Sequence, residues 1–94
     1  YFNAGKVVTR QEAAVLSIRM LQYAGVQISD PDYKKIPFTD FKQLSTSDRY
    51  FVATAYEFGI FGGKKNGQFD PNGKLTRSQM AKVLYKTLQI AKMI

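Results

Sequence analysis

Two short stretches of this chain set an arginine in the same surroundings. Thr9-Arg10-Gln11-Glu12 and Thr76-Arg77-Ser78-Gln79 each place a hydroxyl residue, then a guanidinium, then an acid or amide three places after the hydroxyl. That Thr-x-x-Glu/Gln spacing is a capping box, so each arginine is predicted to be the first residue of a helix. For Thr9, Thr76, Glu12 and Gln79 capping, worth about 1 kcal/mol per helix, outweighs direct ligand contact. The arginines are different. A cation at a helix start opposes the positive end of the dipole, at about 0.3–1 kcal/mol. An anion there would reverse the sign, taking hydrogen bonds from the free N–H groups and a two-pronged contact from the guanidinium. A carboxylate fits that geometry. The competing reading is a structural ion pair of Arg10 or Arg77 with Asp40 or Asp70, and the residues alone weigh the two equally.

Other chemistry is poorly supplied. The chain has no histidine, cysteine or tryptophan. It therefore lacks the commonest general base, the commonest zinc ligand and the best thiol nucleophile. Its seven carboxylates are scattered, with no spacing that forces two together, so no enzyme and no cofactor is expected. Asp70-Pro71-Asn72-Gly73 lacks the later acid that a calcium loop needs. The glycines at 59, 63 and 67 precede no Gly-Lys-Ser/Thr, so they serve backbone shape rather than a P-loop. Net charge is +7, from 14 Lys and Arg, which favours an anionic partner. The basic residues are spread out and no nucleic-acid motif is present, so nucleic acid ranks below an anionic polymer. No apolar run is long enough for membrane insertion.

The elements that must position the arginines follow from start and stop signals. The first helix is expected from Arg10 to about Ala24, ending at Gly25. The last is expected from Arg77 to near Lys92, with Lys86 and Lys92 suiting its negative end. Between them, Ser45-Thr46-Ser47-Asp48 offers N-caps for a helix whose apolar residues recur from Tyr50 to Phe58 and which Gly59 ends. Val52, Ala55, Tyr56 and Phe51 are its expected core face. Asn66-Gly67 suits a tight turn. Phe2, Phe38, Ile60 and Phe69 are expected in the core. The fold class is therefore all-α, a small helical module of about three main helices with glycine-rich loops.

The chain also repeats itself. A shift of 67 positions sets Phe2-Asn3-Ala4-Gly5-Lys6-Val7-Val8-Thr9-Arg10 on Phe69-Asp70-Pro71-Asn72-Gly73-Lys74-Leu75-Thr76-Arg77 without a gap. Ala14 then falls on Ala81, Ile18 on Tyr85 and Leu21 on Leu88. The unit reads as helix, glycine-rich loop, Thr-Arg helix. Residues 38–94 hold one whole unit, 1–25 only the second half of the preceding one, and 26–37 a linker in which Asp30-Pro31-Asp32 breaks any helix. With no initiator methionine and no signal peptide, the chain reads as a piece of a longer one.

Phe38-Thr39-Asp40, then Gly59-Ile60, Gly63, Asn66-Gly67, Phe69-Asp70-Pro71 and Leu75-Thr76-Arg77 resemble the S-layer homology (SLH) repeat of bacterial surface proteins. The resemblance implies a secreted module that anchors a protein non-covalently to the bacterial cell wall. It implies an anionic secondary wall polysaccharide as ligand, often pyruvylated, received in grooves between neighbouring repeats. Carried over residue by residue, the motif arginines Arg10 and Arg77 meet the ligand's negative charge, with Thr9, Thr76, Glu12, Gln79, Asp40 and Gly63 as neighbouring motif positions. The family's tryptophan at the start of the first helix is absent, and Tyr50 is the nearest aromatic. Gln79 replaces the motif's glutamate in the second copy. Two other classes stay open: a basic nucleic-acid module, and a structural module in which the half unit forms a homo-oligomer through its uncovered apolar face.

Overall fold

The computed structural model describes residues 8–92. Phe2 and the five residues after it, the first six of the repeated stretch, lie outside that range. Three helices make up the regular structure: α1 (Arg10–Tyr23), α2 (Thr46–Glu57) and α3 (Arg77–Ile90). Two single turns of 3-10 helix, Tyr33–Lys35 and Phe41–Gln43, lie between α1 and α2. Strand pairing among the described residues is limited to one isolated antiparallel bridge, Thr9 with Lys74. The all-α expectation is met.

Each helix begins where its cap dictates. Thr9 Oγ1 accepts from Glu12 N at 3.1 Å while Thr9 N donates to Glu12 Oε1 at 3.0 Å. Thr76 and Gln79 repeat the arrangement at 3.1 and 2.9 Å. These are two complete capping boxes. The middle helix begins four residues before Tyr50, at Thr46, because Ser45 caps it by accepting from Asp48 N. α1 and α2 end alike. Val26 N donates to Leu21 O and Gly25 N to Gln22 O, while Ile60 N donates to Ala55 O and Gly59 N to Tyr56 O. Gly25 at φ 81° and Gly59 at φ 76° supply the left-handed residue this terminus requires. In α3 Lys92 takes that place at φ 60°, so the helix stops at Ile90. Lys86 lies before the last turn and reaches Gly59 O at 3.5 Å.

α1 packs against both other helices. Its buried residues Ala13, Ala14, Ser17, Ile18 and Leu21 form one helical face. Val52, Ala53, Thr54 and Ala55 of α2 and Met80, Val83 and Thr87 of α3 are buried as well. Phe38, Ile60, Phe61 and Phe69, from the loops, complete the core. Phe69 is wholly buried, with Phe38 at 5.4 Å and Phe61 at 5.5 Å between ring centroids. Tyr56 packs edge-on against Phe38, and Phe51 is partly buried. Residues 26–37 are docked on this core: Val26, Ile28 and Ile36 pack against it, and Asp32 N donates to Glu57 Oε2 at 2.9 Å.

The glycine-rich loop after α2 folds back on itself. Gly67 N donates to Lys64 O and Lys64 N to Gln68 O, with Gly67 at φ 83°. This is the tight turn expected at Asn66-Gly67. Thr39 N donates to Gly67 O, which ties the turn to the start of the Phe38-Thr39-Asp40 stretch.

Candidate functional site

The start of α1 is clasped by the segment that leads into α3. Leu75 N donates to Val8 O, Arg10 N to Gly73 O and Gln11 N to Pro71 O, at 2.8–2.9 Å. Glu12 N is taken by Thr9 Oγ1 and Ala13 N by Thr9 O. The first-turn N–H groups of α1 are thus all satisfied within the protein. At Arg10 the N–H groups that an anion would use are therefore bonded within the protein. The clasp spends them, since buried backbone donors must find partners.

The Arg10 side chain is spent too. Its Nε donates to Phe69 O, and Nη2 donates to Gly62 O at 2.8 Å. The guanidinium carbon lies 5.2 Å from the Phe61 ring centroid and 5.0 Å from that of Phe69. Two aromatic faces and two carbonyls form a socket that suits a planar, weakly hydrated cation. Burial lowers the Arg10 pKa, and the nearby Asp70 and Asp40 carboxylates oppose that shift. Among the described residues no carboxylate pairs with Arg10 directly. The ion-pair alternative is therefore replaced by carbonyl bonds and ring contacts, with Asp70 and Asp40 acting through the field.

Asp40 is 7% exposed, and its two oxygens accept from Phe69 N at 3.0 Å and Asp70 N at 2.9 Å. It holds the stretch at Phe69 and Asp70 that carries the socket's carbonyl. Gly63 sits against Phe38: a Cβ there would lie 3.0 Å from the ring. Asp70 is a non-glycine residue at φ 60°, and its Oδ2 pairs with Lys64 Nζ at 2.8 Å. Gly73 packs so close that a Cβ on it would lie 2.5 Å from Asp70 Oδ2.

The structure thus brings together Thr9, Arg10, Glu12, Asp40 and Gly63 of the candidate residues. Tyr50 stands apart on α2, half-buried, its ring edge-on to Phe51 at 5.4 Å. Arg77, Thr76 and Gln79 lie at the start of α3. Arg77 is exposed, and among the described residues its guanidinium has no hydrogen bond or ion pair. Among the described residues no loop closes over Arg77 as the glycine loop closes over Arg10. Sequence reasoning does not single out Phe61 or Gly73 as parts of the site. Phe61 has a legible signal, an aromatic directly after Gly59-Ile60; Gly73 has none short of the Asp70 conformation.

A polar groove adjoins the clasp. Gln11, Gln43, Ser45, Asp48, Gln68 and Asn72 help line about 410 Å³. Gln11 Nε2 donates to Asp48 Oδ1 at 3.0 Å across it. Among the described residues no group of acids there or elsewhere suits a metal ion, and no helix is long and apolar enough to cross a membrane.

Residues 37–81 match the family model of the S-layer homology domain. The chain is 31% identical over 91 residues to a surface-layer 125 kDa protein of Lysinibacillus sphaericus, covering 95% of this chain and 7% of that protein. It is 32% identical over 92 residues to a cellulosome-anchoring protein of Acetivibrio thermocellus, covering 94% and 19%. It is 30% identical over 82 residues to an amylopullulanase of Thermoanaerobacterium thermosulfurigenes, covering 87% and 4%. The chain spans less than a fifth of each relative's length, so the similarity to an enzyme is confined to a small part of that enzyme. The family-model match assigns residues 37–81 of this chain to the S-layer homology family.

Proposed function

We propose that the chain anchors a bacterial surface protein by holding an anionic wall polysaccharide, and that the recognised group is an acid such as a pyruvyl ketal. The observation that carries this reading is the repeated Thr-Arg helix start, one copy inside the family match and one ahead of it: Arg10 is socketed in the glycine loop and Arg77 is exposed. The relatives' names support the coarse part, since one is a surface-layer protein and another an anchoring protein. In this reading residues 1–25 are the second half of one repeat, 38–94 a complete one and 26–37 the connection.

The two arginines then act differently. Arg77 keeps its donors for a ligand, beside the capped start of α3. Arg10 fixes the loop that presents Gly63 and Lys64, and lends its positive charge to the groove rim. Thr9, Thr76, Glu12 and Gln79 hold the helix starts, Asp40 braces the loop, and Tyr50 offers an aromatic surface on α2.

Binding to purified wall polymer tests this, with the acidic ketals intact or chemically removed. Ketal-dependent binding that Arg77→Ala weakens is expected. Equal binding to both polymers, or full binding by Arg77→Ala, overturns the ligand assignment.

A further inference from the structure

We propose that Asp70 is an internal counter-ion to Lys64, on the loop that Arg10 fixes, holding a place that a further acid of the same polymer, besides the one at Arg77, takes when it binds. The inference rests on the anchoring reading above. Three independent features fix this carboxylate. Asp70 adopts φ 60°, a conformation costly for a residue with a Cβ. Its N–H is held by the buried Asp40 at 2.9 Å. Glycine at position 73 leaves the carboxylate room in this placement, since a Cβ there would lie 2.5 Å from Asp70 Oδ2 and 3.1 Å from Asp70 O. The carboxylate so placed pairs with Lys64 at 2.8 Å.

That pair is built to exchange. The Lys64 and Asp70 side chains are 48% and 35% exposed, and exposed pairs contribute little net stability. An incoming carboxylate can replace Asp70 at Lys64 while the Asp70 side chain turns to water, so the cation is never left unpaired. A neutral sugar offers Lys64 nothing in return. Asp70 therefore lowers affinity for acidic ligands and excludes weaker acceptors, which makes it a specificity-determining residue. The same chain has the uncharged isostere at the equivalent position of the first copy, where Asn3 aligns with Asp70.

Affinity for ketal-bearing wall polymer is measured by calorimetry for the wild type, Asp70→Asn, Lys64→Gln and Asp30→Asn, each first checked for an unchanged melting profile. Asparagine tolerates the left-handed conformation and preserves shape. Asp70→Asn should bind about two- to fivefold tighter, the range released by freeing one exposed pair. Lys64→Gln should bind more weakly. Asp30→Asn changes net charge equally at an exposed site and should leave affinity unchanged. Unchanged or weaker binding by Asp70→Asn, or equal tightening by Asp30→Asn, overturns the proposal while leaving the anchoring reading intact. A wild type indifferent to the ketal overturns both.

Discussion

Arg10 and Arg77 stand in the same local setting, yet the protein asks different work of them. Arg10 joins the start of α1 to carbonyls 52 and 59 residues away in sequence, and two aromatic faces enclose it. Removing it leaves those carbonyls without their charged donor. Arg10→Ala is expected to lower unfolding free energy by on the order of 2–4 kcal/mol in urea titrations. Arg77→Ala should stay within about 0.5 kcal/mol, as for an exposed side chain without partners. Equal losses in the two variants would refute the division of labour. No local pattern separates these residues, because what distinguishes Arg10 is a loop brought to it by the fold. The capping roles of Thr9, Glu12, Thr76 and Gln79 were legible, since a capping box spans four residues.

The helices follow their sequence signals closely wherever the signal is local. Ser45, Gly25 and Gly59 mark ends that the backbone obeys. The end of α3 was less legible, because Lys92 adopts a left-handed conformation that no residue type there announces. The loops rely on longer-range fits. Thr76→Ala should cost about 1 kcal/mol through the lost cap. Asp40→Ala should cost more, about 2–4 kcal/mol, because two N–H groups lose a charged acceptor near the buried Phe69. Thermal melts of the two variants side by side check that order, and a larger loss from Thr76→Ala would contradict it. That Asp40 would brace the stretch at Phe69 rather than face a ligand was not readable. Its partners lie 29 and 30 residues downstream.

Across the whole molecule, the sequence repeat and the packing are out of step. In the proposed reading α1 closes the preceding sequence unit, yet it packs against α2 and α3 of the next. A chain of residues 26–94 should therefore lose cooperative helicity in circular dichroism, although it contains every residue of the whole repeat. Retention of a sharp melt by that fragment would show that α1 is dispensable. The 67-residue correspondence sharpens the point. Ala14 and Ile18 of α1 are fully buried, whereas their counterparts Ala81 and Tyr85 on α3 are exposed, Tyr85 at 56%. The repeat was visible as a shift of the sequence against itself. That its helices serve the neighbouring unit was not, because apolar spacing marks which face is buried and not what buries it.

The clasp between residues 8–11 and 71–75 has a mechanical side. Its bonds are antiparallel, so Val8 and Leu75 sit at one end and Gln11 and Pro71 at the other. Tension drawn outward from Val8 and Leu75 loads the bonds one after another, as a zipper opens, instead of all together. Leu75–Val8 parts first, then Arg10–Gly73, then Gln11–Pro71. The Arg10 guanidinium, bonded beyond the clasp to Phe69 and Gly62, is the brake at the end of the track. Until it lets go, the chain between residues 11 and 71 stays out of the line of pull.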